Sequence, residues 1–227
     1  MSDESGARGN IRARIRAQQG KPAQPAAAER EAVRAHIAAH HQSPRPRADW
    51  DPVARFCEQA LRLASTVDRV ETLEGVPAAV ARYLRHGALP LAAVCWGEFA
   101  DLGWGGAGIE ILVRETRDSD LVGITGAYCA IAETGTLMTV SGPRTPATTS
   151  LLPETHVAVV HAARIVRGME EAWRLLRSEA NVMPRAVNFI SGPSRSADIE
   201  QTVTLGAHGP YRVHIVIVAA HRHGALD

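Results

Sequence analysis

The chain has 227 residues, 45% of them hydrophobic and 22% charged, which is enough for one substantial core and short for two. With 25 basic against 24 acidic side chains the net charge is only +1, which argues against a general nucleic-acid or membrane-facing surface. Aromatics at 4% also weaken any reading as a base-stacking platform.

The first residues, MSDESGARGN, open with acids and lack an apolar run, and no later stretch approaches the roughly 20 apolar residues that span a bilayer. The expectation is a cytoplasmic protein with no membrane span. Residues 1–48 differ in composition from the rest. Ile11–Ala17 has the makings of a short basic helix, broken by Gly20-Lys-Pro-Ala-Gln-Pro25. A second Ala-rich stretch, Ala26 to His41, runs into Ser43-Pro-Arg-Pro46, a linker composition. This arm reads as peripheral to an α/β domain over 49–221, followed by a short tail at 222–227.

In the main domain Val53, Phe56, Cys57, Ala60, Leu61, Ala64 and Val67 recur at three- and four-residue steps, the stripe of an amphipathic helix. Val76 to His86 is a second helix, with Pro77 in its first turn and Gly87 at its end. Leu89–Val94, Ile109–Val113, Leu121–Ile124, Thr136–Val140, Val157–Val160, Val187–Ile190 and Val213–Ala219 read as strands. Met169–Ser178 and Ala197–Thr204 read as helices. Short apolar strands interleaved with helices predict a three-layer α/β/α fold around a mainly parallel sheet.

Cys57, Cys95 and Cys129 are far apart and show no CxxC spacing. Buried structural thiols are expected, without a metal site or iron–sulfur cluster held by this chain. Gly103-Trp-Gly-Gly-Ala-Gly108 matches G-x-G-x-x-G, but that fingerprint must open a helix to face a pyrophosphate, and here a strand-like run follows. A loose glycine loop is the preferred reading.

Three segments carry candidate chemistry. In Ala132-Glu133-Thr134-Gly135-Thr136 a carboxylate beside two hydroxyls suits a base, a nucleophile or a ligand contact, and equally a solvated turn. Ser191, Gly192, Ser194, Arg195 and Asp198 follow a strand and enter the predicted helix, placed at the sheet's carboxyl edge. That entrance suits an anion, or else Ser194 or Ser196 is a plain N-cap. Gly206-Ala-His208-Gly209-Pro210 holds a histidine in a turn, a proton donor or ligand contact near neutral pH, or a polar turn residue. His40-His41 and His221-x-His223 are weak metal-like pairs, better read as solvated.

Taken together, Ile131–Leu137, Ser150-Leu-Leu-Pro-Glu-Thr-His156, Ile190–Glu200 and Gly206–Pro210 resemble, in order and spacing, the lactate-utilisation (LUD) family, over about residues 50–219. The basic stretch at Ile11–Ala17 resembles the arm of its C-type members. Ser196 stands where many relatives have Thr, which keeps the hydroxyl. The resemblance implies a fold like the sugar-phosphate isomerase and CoA-transferase superfamily. It also implies a part in oxidising L-lactate to pyruvate, within an oxidoreductase system whose cysteine-rich partner proteins carry the iron–sulfur clusters. Glu133 resembles the glutamate nucleophile of CoA transferases only loosely. The leading expectation is a subunit binding a small anionic or phosphorylated ligand through Thr134, Gly135, Thr136, Ser191, Gly192, Ser194, Arg195, Asp198 and Gly209, with Glu133 and His208 as catalytic candidates. The rivals are a free-standing acyl- or CoA-transferase-like enzyme using Glu133, and a non-catalytic assembly subunit.

Overall fold

A computed structural model describes residues 4–22, 24–45, 47–196, 204–206 and 208–219. It divides into two compact units, 1–47 and 48–227. In the first, α1 (Glu4–Gln18) and α2 (Ala27–Ala39) are joined by a turn that Arg16 and Lys21 tie together. Arg16 donates to the Pro22 carbonyl at 3.2 Å, and Lys21 pairs with Glu29 at 2.7 Å. No residue of α2 is buried, and Ile11, Ile15, Val33 and Ile37 are all exposed.

The second unit is built on a six-stranded sheet whose pairings are all parallel. In chain order its strands are β1 (Thr66–Val70), β2 (Ala92–Cys95), β3 (Glu110–Leu112), β4 (Val122–Gly126), β7 (Thr155–His161) and β12 (Arg212–Val218). Between them lie β5 (Cys129–Ile131), β6 (Thr136–Val140), β8 (Ile165–Val166) and β9 (Val187–Ile190), which form a second sheet in the order β8-β5-β6-β9. The order of the main sheet is β1-β12-β7-β4-β2-β3, so β12, β7 and β4 are central. They read as near-continuous apolar runs because both faces are covered.

One face packs on α4 (Val76–His86) and the one-turn α5 (Trp104–Ala107), where Val122, Ile124, Val157, Val159, Val216 and Val218 meet Val80 and Leu84. The other face presents Ala158, Val160, Ile215 and Ile217 to α3 (Pro52–Arg62) and the second sheet. The outer side of that sheet is closed by α7 (Met169–Glu179), through Ala172 and Leu176 on Ile131 and Met138. The three-layer α/β arrangement about a parallel sheet is therefore present, with the second sheet sharing one outer layer with α3.

Local rules set the helix starts. Asp51 caps α3 by accepting from the Ala54 N–H at 2.7 Å, and Pro52 occupies its first turn, where its missing N–H is no loss. The expected stripe to Val67 overshoots: α3 stops at Arg62, Ala64 takes a left-handed φ of 64°, and Val67 belongs to β1. The glycine segment at 103–108 is not loose. Trp104 is buried and donates to the Phe99 carbonyl at 2.6 Å, while Arg85 holds the Ala107 carbonyl at 2.6 Å. The helix it opens is four residues long and gives way to β3, so it is not a dinucleotide turn.

The expected helix at Ala197–Thr204 is corrected at Thr204, its last residue. β10 (Arg195–Ser196) pairs antiparallel with β11 (Thr204–Leu205), so Ser194 is not the N-cap of a helix and Thr204 is not part of one. The intervening residues, Asp198 among them, lie outside the described residues, as do His221 and His223.

The thiols of Cys95 and Cys129 are buried and Cys57 is half-buried, all three free. Burial pushes Cys95 and Cys129 up to about 12. No helix among the described residues is long and apolar enough to cross a membrane. Among them there is also no group of three His, Cys, Asp or Glu able to hold a metal ion.

Candidate functional site

The segment after β9 and the turn before β12 meet on one cavity of about 430 Å³. Ser191, Gly192, Pro193, Ser194 and Arg195 line it from one side and His208, Gly209 and Pro210 from the other. Two backbone hydrogen bonds hold the segments together. The Ser194 N–H donates to Pro210 O at 2.9 Å, and the Gly206 N–H donates to Ser194 O at 3.0 Å. Arg195 and His208 are exposed, so a charged ligand reaches both without a buried ion being created.

The cavity's address is the amino edge of the main sheet. Leu63 precedes β1, Ser150 and Leu151 precede β7, and Pro210 precedes β12, and all four line it. The expected placement at the carboxyl edge is thus corrected. Ser191 follows the carboxyl end of β9, but β9 belongs to the second sheet.

The Glu133–Thr136 turn joins β5 to β6 and reaches the cavity only through hydroxyls. Thr134 Oγ1 lies 2.8 Å from Thr136 Oγ1, which lies 2.7 Å from Ser191 Oγ. Glu133 is half-buried, its N–H bonded to Arg167 O at 3.0 Å, and it is not among the lining residues. Gly135 and Gly192 explain why both loops lie where they do. Each has a positive φ (68° and 78°), and each presses its bare Cα on α3 or its exit. An added Cβ would stand 2.6 Å from the Ala60 nitrogen at Gly135 and 2.4 Å from the Leu63 oxygen at Gly192.

Two buried histidines sit just inside this edge. His156, in β7, shares a 2.8 Å hydrogen bond between Nε2 and Thr125 Oγ1, and its Nδ1 has no partner among the described residues. His214, in β12, bonds Thr66 Oγ1 through Nδ1 at 2.8 Å and stacks on Tyr83 with ring centroids 3.9 Å apart. Burial lowers both to about 4, so both rings are neutral near pH 7. His156 closes the Ser150–His156 segment, but neither histidine is among the sequence-predicted site residues. A histidine at the start of a valine-rich strand is the signal that finds them.

Other residues cluster at the opposite edge. After β2 come Trp96, Gly97 and Glu98, and after β4 come Ala127 and Tyr128. Glu98 rests against Gly126, where an added Cβ would lie 2.5 Å from Oε1 and 3.3 Å from the Phe99 ring. Desolvation raises its carboxyl above the usual range and the Arg144 guanidinium partly offsets that, while the residue keeps an exposed face. Trp96 Nε1 donates to Pro146 O at 3.2 Å and ties the Arg144 loop to the end of β2.

Comparison with known proteins places the chain. The family described as the LUD domain matches residues 103–218. The chain is 38% identical over 112 residues to lactate utilization protein C of Halalkalibacterium halodurans, covering 48% of each. It is 36% identical over 118 residues to lactate utilization protein C 1 of Bacillus mycoides, covering 51% of this chain and 50% of that one. It thus spans about half the length of the curated relatives it matches. A crystal structure of a DUF162 family protein from Deinococcus radiodurans superposes with a TM-score of 0.55 at 21% identity, covering 78% of this chain and all of that one. That likeness speaks for the fold alone.

Proposed function

The chain belongs to the LUD-domain family, and from that premise we propose that it serves lactate utilisation by binding a small anionic or phosphorylated ligand in the amino-edge cavity. The names of its relatives support the first half. The second rests on one observation: Ser191–Arg195 and His208–Gly209, separate in sequence, line the same 430 Å³ space. Arg195 supplies charge, Ser191 and Ser194 supply hydroxyl donors, and Gly209 lets the backbone approach closely. His208, open to solvent, brings an imidazole to the same wall.

In this reading the chain is one subunit of a system that oxidises L-lactate to pyruvate. The iron–sulfur clusters reside in cysteine-rich partner proteins, and this chain carries no cofactor of its own. Three scattered cysteines, two of them buried, supply no cluster ligands and fit that division. Glu133 lies off the cavity wall, which favours binding over a covalent glutamyl mechanism at this place.

Calorimetric titration of inorganic phosphate tests the cavity. The wild-type chain binds, and Arg195→Ala and Ser191→Ala each bind more weakly with unchanged melting temperature. Unaltered phosphate affinity in both variants rules the cavity out. Co-purification of the native protein from lactate-grown cells with an iron-bearing partner tests the wider role, and recovery without such a partner counts against it.

A further inference from the structure

The amino-edge cavity has two walls of different chemistry. Its charged and hydroxyl-bearing groups stand at the opening, where Ser191, Arg195 and His208 are exposed. On the same space Ile190 and Pro210 are buried and Leu63 and Pro193 half-buried, so the deeper wall is apolar. Leu151, 39% exposed, continues that apolar side to the rim.

Polar groups of the deeper wall are already paired. The Ser150 hydroxyl, fully buried, donates to Ala147 O at 2.9 Å, and Pro210 O accepts the Ser194 N–H at 2.9 Å. Proline has no N–H to give. A bare anion seated that deep loses its water without gaining donors, so it stays at the opening. An apolar group there instead removes Leu63 and Ile190 from water, which is favourable in proportion to the area covered. The size of the space agrees. About 430 Å³ lies within the roughly 300–1,000 Å³ of cavities that enclose whole organic ligands, whereas an inorganic phosphate occupies only the charged end.

We propose that the cavity takes an amphiphilic organic anion. Its anionic group meets Arg195 and Ser191 at the opening, and an alkyl or aryl body lies inward on Leu63, Ile190 and Pro210. The charged end rests on the anion-binding reading above, whereas the apolar end rests on the wall itself. A polar mouth over an apolar interior also sets the ligand's direction, charge outward and body inward.

The test is a calorimetric titration of the full chain with inorganic phosphate, methyl phosphate and phenyl phosphate, which share a charged end and differ in apolar area. Affinity is expected to rise along that series, with phenyl phosphate about tenfold tighter than inorganic phosphate, the scale of burying part of one ring. Leu63→Ser lowers that preference severalfold, whereas Arg195→Ala weakens all three probes alike. Leu63 ends α3, so Leu151→Ser at the exposed rim repeats the measurement should the first variant lower the melting temperature. Phenyl phosphate binding no tighter than inorganic phosphate overturns the proposal and leaves the anion site standing. A preference kept in full by both leucine variants overturns it too. Binding of none of the probes overturns both readings.

Discussion

The two edges of the parallel sheet are built in different ways. At the amino edge, loops from the second sheet press glycines at positive φ on the backbone of α3 and its exit, and the β12 entrance is hydrogen-bonded to Ser194. The polar groups there, from Ser191 to His208, line an open cavity above two neutral buried histidines. At the carboxyl edge, a single glycine meets the tip of a movable side chain, Glu98, beside an exposed loop. A site held by backbone clamps keeps its shape whether or not it is filled. A contact made by a side-chain tip can give way.

Stability measurements separate the two most strongly. Gly192→Ala puts a methyl group 2.4 Å from the Leu63 carbonyl oxygen at a φ of 78°. Left-handed strain and overpacking together set the expected loss at about 3–5 kcal/mol, read by urea denaturation. Gly126→Ala meets chiefly the end of Glu98, which can swing aside, so roughly 1 kcal/mol or less is expected. Equal losses at the two positions would erase the distinction.

Acid gives the next largest effect, with opposite signs at the two edges. His156 and His214 titrate near 6.5 when unfolded and about 4 when folded, so the unfolded chain binds more protons in that window. Stability therefore falls as pH drops from about 6.5 toward 4, by roughly 2 kcal/mol per histidine at about pH 5. Glu98 has a raised folded pKa, so its contribution runs the other way: stability drops as pH rises from about 4.5 through the folded value. Denaturation midpoints between pH 7 and 5 check the first, and a flat profile contradicts it. His156→Gln should flatten part of the slope.

How much of this was legible in the sequence depends on which residues set each feature. Apolar runs such as Val157–Val160 and Val213–Val218 name their strands directly, since both faces are buried. The helical stripe through Val67 misleads because the three- and four-residue phase continues past Arg62 by chance, while the break at Ala64 is a backbone event. Ser194 looks like a cap until Arg195–Ser196 pairs with Thr204–Leu205. The candidate segments at 191–195 and 208–209 were legible from residue type, but their edge of the sheet was not. Strand order is tertiary information, and so are the parts that Leu63, Ser150 and Phe189 play in the cavity. Glu98 escapes for the same reason, because β4 becomes the neighbour of β2 only in the folded sheet.

Smaller effects refine the amino edge. Arg195 is exposed, and solvent screening limits what one charge contributes, so Arg195→Ala is expected to weaken phosphate binding by about 1 kcal/mol, roughly fivefold. Removal of residues 1–47 is expected to do least. That segment forms its own compact unit with no buried residue in α2, so the melting temperature should stay within a few degrees (a shift under roughly 1 kcal/mol). Loss of cooperative unfolding on truncation would contradict this.

The most direct test of the amino-edge site is an amide-resolved magnetic resonance titration of the full chain with inorganic phosphate. Phosphate is expected to move the amides of Ser191–Arg195 and His208–Gly209, which line the cavity, and to leave those of Gly97–Phe99 at the other edge in place. Phosphate shifts that avoid the Ser191–Arg195 segment would contradict it.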